Sequence, residues 1–146
     1  MKKITILGGG NMGLTYAASI YNSDLEAIIQ ILENAPERIQ EINALNTVMA
    51  GNDLEVLKDT DVLFLAVKPQ VFQNIKPYLN QKQLVVSIMA GVSIDTIQKG
   101  LGLNKVVRAM PNLPAQVKLG MTTYVGSSEV GQEELAFIAS VLGATG

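Results

Sequence analysis

A glycine-rich segment between a predicted strand and a predicted helix constrains the fold of this chain more than any other feature. Residues 2–7 (KKITIL) have the apolar pattern of a short strand, and residues 14–21 (LTYAASIY) have the pattern of a helix. Gly8, Gly10 and Gly13 lie between them at the G-x-G-x-x-G spacing. Strand, glycine loop and helix in this order predict the first β-α unit of a dinucleotide-binding fold.

Each of these glycines has a separate predicted role. Gly8 permits a tight turn out of the strand, and Gly13 lets the helix pack closely against it. At Gly10 the missing Cβ lets a pyrophosphate approach the backbone. The first N–H groups of a helix have no partners within it and lie at the positive end of its dipole, so an anion is expected there.

A carboxylate follows the second predicted strand, at residues 27–32. Glu33 lies 20 residues beyond Gly13, where a dinucleotide site has its ribose-binding acid. The alternative is a glycine-rich turn that binds no ligand. The strand, the helix and the acid together favour dinucleotide binding.

Strands and helices alternate along the rest of the chain. This alternation predicts an α/β fold with a doubly wound, mainly parallel sheet of the Rossmann type, in which ligands bind beyond the carboxyl ends of the strands. Further helices are predicted over 36–45, 54–58, 71–79, 94–99 and 129–142, and further strands over 47–49, 61–67, 84–88, 105–110 and 121–125.

Composition excludes several kinds of function. The 146 residues fit one dinucleotide-binding domain over 1–146. The net charge is −2, and the basic residues form no run that could bind nucleic acid or an anionic membrane. The chain has no Cys and no His, which excludes thiolate and histidine catalysis and the usual zinc sites, and no metal is predicted. No apolar segment reaches the length of a membrane span, so a soluble, cytoplasmic protein is expected.

Four stretches of this sequence together resemble the pyrroline-5-carboxylate reductases, which make proline by reducing a cyclic imine. The resemblance covers the whole chain. The most specific of the stretches are the Ala-Val-Lys-Pro and Arg-Ala-Met-Pro-Asn segments. The four stretches are 8–13 (GGGNMG), 61–70 (DVLFLAVKPQ), 85–93 (VVSIMAGVS) and 107–112 (VRAMPN).

The resemblance implies an NAD(P)H site and a small-molecule substrate, pyrroline-5-carboxylate. In the family the glycine loop holds the pyrophosphate, the Ala-Val-Lys-Pro loop lines the riboses, and the Ala-Gly turn faces the nicotinamide. The catalytic residues are left unassigned by the resemblance. Lys68 is either a phosphate partner or a solvated lysine, and Asn112 either lies near the nicotinamide or caps a turn. The implied cofactor-binding residues are Leu7, Gly8, Gly9, Gly10, Asn11, Met12, Glu33, Ala66, Val67, Lys68, Pro69, Met89 and Ala90.

Two substitutions depart from the family pattern. Leu113 replaces a common Thr, and Glu33 occupies a position where relatives have small, polar or basic residues. Most of the family favours NADPH, whereas a carboxylate accepts hydrogen bonds from ribose hydroxyls and repels a 2′-phosphate. Glu33 therefore favours NADH. Arg38 is near enough in sequence to bind a phosphate, although a helix-surface role is the preferred interpretation.

The third departure is an absence. Family members continue into a helical domain that forms a homo-oligomer and binds the imine, and this C-terminal domain has no counterpart here. The preferred hypothesis is the cofactor-binding domain of a reductase. Two alternatives remain, which are a non-catalytic module that binds NAD(P) without turnover and a related dehydrogenase of the hydroxyacid or reduced-deazaflavin type.

Overall fold

The described part of the chain folds around a seven-stranded sheet with helices on both faces. The computed structural model describes residues 2–8, 11–21, 27–45, 48–67, 72–89, 91–111, 122–127 and 130–143. Among these residues no helix is long and apolar enough to cross a membrane.

Strands and helices alternate along the chain. The strands are β1 (Lys2–Leu7), β2 (Ala27–Leu32), β3 (Met49–Gly51), β4 (Val62–Leu65), β5 (Leu84–Ser87), β6 (Val106–Pro111) and β7 (Thr122–Gly126). The α-helices are α1 (Asn11–Tyr21), α2 (Pro36–Ala44), α3 (Ile94–Leu101) and α4 (Gln132–Gly143). Two 3-10 helices, Leu54–Asp59 and Phe72–Tyr78, follow β3 and β4.

The strand order is β3-β2-β1-β4-β5-β6-β7. The first six strands are parallel, and β7 pairs with β6 in the antiparallel sense. The chain builds the sheet outward from β1 in one direction and then from β4 in the other. A topological switch point therefore lies between β1 and β4, the position at which ligands bind in doubly wound sheets.

Two apolar clusters cover the faces of the sheet. The first contains Ile6 and Phe64 and packs against α1, where the Tyr16 and Phe64 ring centroids are 5.8 Å apart. The second contains Leu63 and Leu65 and packs against α3 and both 3-10 helices. Every residue of β4 and β5 is buried because adjacent side chains enter opposite clusters. This burial explains the unbroken apolar sequence of β4 and of the first three residues of β5.

The structure confirms the predicted fold class and refines several elements. β1 and β2 have the predicted bounds, and Ser93 caps α3 by accepting a hydrogen bond from the Thr96 N–H at 3.2 Å. The predicted helices at 54–58 and 71–79 are 3-10 helices. Pro77 lies inside the second of these, where its missing N–H and fixed ring disfavour an α-helix.

A buried polar network ties β1 to the segments that precede β4 and β5. The Thr5 and Thr60 hydroxyl oxygens are 2.6 Å apart, and both side chains are buried. The Gln83 amide donates to the carbonyl oxygens of Leu57 at 2.5 Å and Thr60 at 2.9 Å. These bonds satisfy polar groups that would otherwise be costly to bury.

The outer edge of the sheet at β3 is occupied by a side chain of α2. The Asn43 amide oxygen accepts from the Ala50 N–H at 2.8 Å, and its nitrogen donates to the Ala50 carbonyl oxygen at 3.1 Å. Asn43 thus makes the two bonds that a neighbouring strand would make with this residue. Exposed strand edges promote pairing between molecules, so this contact protects the edge.

We expect Asn43→Ala to lower the free energy of unfolding by about 1–3 kcal/mol and to increase self-association, because both Ala50 backbone groups lose their partner. Chemical denaturation and analytical ultracentrifugation measure the two effects. Asn80→Ala is a weaker comparison, since its side chain accepts one turn hydrogen bond, from the Lys82 N–H. Equal self-association in both variants would contradict the protective role of Asn43.

Candidate functional site

The segments that follow four neighbouring strands form one row at the carboxyl edge of the sheet. Each segment is joined to the adjacent strand by a backbone hydrogen bond that continues the ladder. These bonds run from Gly8 N to Leu32 O (2.8 Å), Glu33 N to Gly51 O (2.9 Å), Ala66 N to Leu7 O (2.9 Å) and Ile88 N to Leu65 O (3.1 Å). The row spans the switch point between β1 and β4.

Gly8 holds the loops after β1 and β4 in close contact. Its φ is +111°, a conformation that side chains disfavour. A Cβ at this position would lie 2.5 Å from the Ala66 carbonyl oxygen and 3.1 Å from Val67 Cγ1. Only glycine allows this approach, as expected for the first glycine of the motif.

Gly13 brings α1 against the end of β1. A Cβ there would overlap the Gly8 carbonyl oxygen and lie 3.3 Å from Ile6 Cγ2. α1 begins at Asn11, so its unpartnered N–H groups lie at the carboxyl edge of the sheet. The backbone of Asn11 and Met12 forms the first helical turn, whereas Gly9 and Gly10 lie outside the described residues.

Glu33 presents a half-buried carboxylate at the end of β2. One of its oxygens, Oε2, accepts from the Ala35 N–H at 2.9 Å. Ala35 precedes α2, which begins with Pro36, and contributes no side-chain cap of its own. The positive end of the α2 dipole and this hydrogen bond both stabilise the negative charge of Glu33 at the candidate site.

Two of the implied cofactor-binding residues, Leu7 and Met89, can offer only backbone groups to a ligand. The side chains of Leu7 and Met89 are 9% and 4% exposed and pack in the second apolar cluster. The Met89 N–H donates to the buried Ser87 hydroxyl at 3.2 Å, which fixes the turn after β5. Sequence reasoning assigned no role to Ser87, although a polar residue ending an apolar strand was a visible signal.

The other predicted residues lie in the row, on α2 or outside the described residues. Ala66 and Val67 are half-buried and lie in the row beside Gly8. Arg38 Nη1 forms an ion pair with Glu41 Oε2 at 3.0 Å on α2, in keeping with a helix-surface role. Among the described residues no acidic cluster could hold a metal ion. Lys68, Pro69, Ala90 and Asn112 lie outside the described residues.

The chain matches a sequence model of one protein family. The family is described as "NADP oxidoreductase coenzyme F420-dependent", and the match covers residues 3–91. This region contains the glycine loop, Glu33 and the loops after β4 and β5.

Known relatives and structures match a longer part of the chain. Pyrroline-5-carboxylate reductase of Escherichia coli K12 is 34% identical, and the match covers 96% of this chain and 55% of the relative. The structure of a pyrroline-5-carboxylate reductase from Coxiella burnetii has a TM-score of 0.89 at 28% identity and covers 98% of this chain and 56% of that one. The Plasmodium falciparum enzyme, crystallised with NADP bound, has a TM-score of 0.82 at 25% identity over 99% of this chain and 55% of that one. The chain thus spans about 55% of the length of these relatives.

Proposed function

The chain belongs to the family described as "NADP oxidoreductase coenzyme F420-dependent", and on that basis we propose that it is the dinucleotide-binding domain of a pyrroline-5-carboxylate reductase. The main support is the row of loops at the switch point, where Gly8 and Gly13 bring the α1 N-terminus against the ends of β1 and β4. The similarity to the E. coli enzyme over 96% of the chain supports this particular activity.

The residues of the row fit a nicotinamide dinucleotide. The first turn of α1 offers N–H groups to the pyrophosphate, and the missing Cβ of Gly8 keeps the loops after β1 and β4 together. Ala66 and Val67 would line the riboses, and the turn after β5 would face the nicotinamide. When bound, the reduced nicotinamide supplies a hydride to the imine carbon of the substrate.

The contribution of this chain to the reaction is mainly orientation. A protonated imine accepts hydride readily, so the protein must hold the cofactor and the substrate in a reactive geometry. The buried Ser87 hydroxyl supports that role because it fixes the backbone turn at Met89. The absence of Cys and His from the sequence is compatible with such chemistry.

We further propose that the domain prefers NADH to NADPH. The support is the Glu33 carboxylate, which is held at the end of β2 by the Ala35 N–H. In this position it would accept hydrogen bonds from the hydroxyls of the adenosine ribose and would repel a 2′-phosphate.

Two other functions are alternatives to this proposal. The family description favours a reaction that couples NADP to a deazaflavin coenzyme, although the match ends at residue 91, before the Arg-Ala-Met-Pro-Asn stretch. A module that binds the dinucleotide without turnover is the second alternative, and the chain spans 55% of the length of the E. coli relative.

A paired experiment separates these functions. Calorimetric titration with NADH and NADPH measures binding, and an assay with pyrroline-5-carboxylate and each cofactor measures turnover. We expect both cofactors to bind with micromolar affinity, and NADH to bind more tightly than NADPH. Turnover of pyrroline-5-carboxylate would extend the proposal from cofactor binding to the whole reaction. Binding without turnover supports the module, and oxidation of NADPH by the deazaflavin supports the family description. If neither cofactor binds, the dinucleotide proposal is wrong.

A further inference from the structure

The first turn of α2 lies beside Glu33 at the carboxyl edge of the sheet. α2 begins at Pro36, and the Glu33 carboxylate accepts from the N–H of the preceding residue, Ala35, at 2.9 Å. Arg38 is the third residue of this helix. At a rise of about 1.5 Å per residue, its Cα is about 3 Å along the helix axis from that of Pro36. Arg38 therefore belongs to the part of α2 that is nearest to the ribose position proposed for Glu33.

An ion pair directs the Arg38 guanidinium away from that position. Its Nη1 lies 3.0 Å from Glu41 Oε2. Glu41 is one turn further along α2, about 4.5 Å along the axis in the direction away from Glu33. The Arg38 side chain is 30% exposed and that of Glu41 is 64% exposed. The guanidinium is therefore accessible from solvent but is bound by a carboxylate on the side remote from Glu33.

Arginine is the residue type that suits a 2′-phosphate at the end of β2. In dinucleotide-binding folds an arginine near the ribose-binding position accommodates the 2′-phosphate of NADP. The planar guanidinium donates paired hydrogen bonds that match phosphate oxygens. The sequence has two arginines, and the other one, Arg108, lies on β6, four strands from β2 in the sheet order. Arg38 is thus the arginine of this chain that is placed beside the adenosine ribose.

We infer that Glu41 is a positioning residue for cofactor choice, an inference that rests on the proposed function. Its carboxylate competes with the 2′-phosphate of NADPH for the Arg38 guanidinium, because the two anions lie on opposite sides of that side chain. NADH has no such phosphate, so its binding does not require the ion pair to open. The ion pair therefore adds to the preference for NADH that is proposed for Glu33.

Glu41 and Glu33 act on the phosphate with different strengths. An ion pair at the surface contributes little, whereas an arginine that binds a phosphate makes strong, charge-assisted hydrogen bonds. Glu41 therefore weakens the binding of NADPH without preventing it. Glu33 acts at the ribose itself, where its charge repels the phosphate and its oxygen occupies the Ala35 N–H. The effect of Glu41 is best measured after Glu33 has been replaced.

The test is a double-mutant cycle on Glu41 and Arg38 in the Glu33→Ser background. Calorimetric titration of the 146-residue chain with NADPH and with NADH gives the ratio of the two affinities. The cycle compares Glu33→Ser alone with the same variant carrying Glu41→Gln, Arg38→Met or both. A double-mutant cycle isolates the coupling between two residues from the separate effects of each change. Circular dichroism of every variant reports folding.

Two controls separate the contact from its side effects. Glu37→Gln removes an equal charge from the first turn of α2, closer to Glu33 than Glu41 is, and leaves the Arg38 ion pair in place. Glu55→Gln breaks a comparable ion pair, that of Glu55 with Lys58, on another helix. The acid of that pair is 60% exposed, close to the exposure of Glu41.

We expect Glu41→Gln to raise the affinity for NADPH about twofold to fivefold, as for the loss of an exposed ion pair, and to leave the affinity for NADH unchanged. Arg38→Met should lower the affinity for NADPH about tenfold or more, as for hydrogen bonds to a charged group. Adding Glu41→Gln to Arg38→Met should then change neither affinity. Arg38→Lys, which keeps the charge but not the paired donors, should lose part of the NADPH affinity, and it decides the matter if the methionine variant does not fold.

Three outcomes overturn the inference in distinguishable ways. If neither the wild type nor Glu33→Ser binds a cofactor, the proposed function is wrong and the role of Glu41 falls with it. If both cofactors bind and Arg38→Met leaves their affinity ratio unchanged, the dinucleotide site stands and only the Arg38 contact is contradicted. A gain from Glu41→Gln that persists in Arg38→Met, or that Glu37→Gln reproduces, assigns the effect to the general charge of α2.

Discussion

Replacing Gly13 by alanine is expected to lower the free energy of unfolding by about 3 kcal/mol or more and to abolish NADH binding. The added Cβ would overlap the Gly8 carbonyl oxygen and would lie only 3.3 Å from Ile6 Cγ2 on β1. Because both contacts are in the core, α1 must move away from the strand. Such a shift displaces the N–H groups that are expected to bind the pyrophosphate.

The sign of this effect makes the test informative. At an unobstructed helix position, alanine stabilises relative to glycine by about 0.5–1 kcal/mol. The matched control is Gly51→Ala on the edge strand β3, where an added Cβ has no described atom within 4 Å. Urea denaturation should separate the two variants clearly. A Gly13→Ala variant as stable as Gly51→Ala would contradict the close packing of α1 on β1.

Replacing Glu33 by serine is expected to shift the ratio of NADPH to NADH affinity towards NADPH by about tenfold to a hundredfold. The change removes an acceptor for the ribose hydroxyls and a charge that repels the 2′-phosphate. It also removes the hydrogen bond to the Ala35 N–H, so a loss of stability of about 0.5–1.5 kcal/mol should accompany it.

The control for Glu33 is Glu37→Ser. Glu37 is an exposed acid in the first turn of α2, so its replacement changes the net charge equally without altering the end of β2. Titration of each variant with both cofactors should show the shift for Glu33→Ser alone. Equal shifts in the two variants would mean that only the general charge of this region affects cofactor choice.

Sequence reasoning predicted the fold class because parallel strands buried on both faces have a distinctive pattern. The apolar run that contains β4 and the glycine motif at the start of α1 are both local sequence signals, and the structure has a strand and a helix there. The 3-10 helix over Phe72–Tyr78 was predicted as an ordinary helix because the apolar spacing suits both. Pro77 was the local signal that distinguished them.

Contacts between distant segments could not be predicted from the sequence. The Asn43 bonds to Ala50 depend on how α2 returns along β3, and no local pattern specifies that path. The buried bonds from Gln83 to the Leu57 and Thr60 carbonyls join segments more than 20 residues apart. Polar side chains in such places resemble surface residues until the packing is known.

For the candidate site as well, the sequence predicted some residues but not the contacts that they make in the folded chain. The spacing from Gly13 to Glu33 predicted the acid, but not that the Ala35 N–H would hold its carboxylate at the α2 N-terminus. The resemblance implied Leu7 and Met89, and the structure restricts both to backbone contacts because their side chains are in the core. Arg108 was part of a recognised motif, yet its unpartnered Nε appears only in the folded chain. The cofactor roles of all these residues stay predictions.

The most direct test of the dinucleotide site is a map of backbone amide NMR shifts in the 146-residue chain during titration with NADH. We expect the largest changes at Gly8, Glu33, Ala66 and Met89, which follow β1, β2, β4 and β5 at the carboxyl edge. Lys3, Asp61 and Lys105, at the amino ends of the strands, should shift little. Binding that perturbs the amino ends, or that leaves the row of loops unchanged, would contradict a dinucleotide site at the switch point.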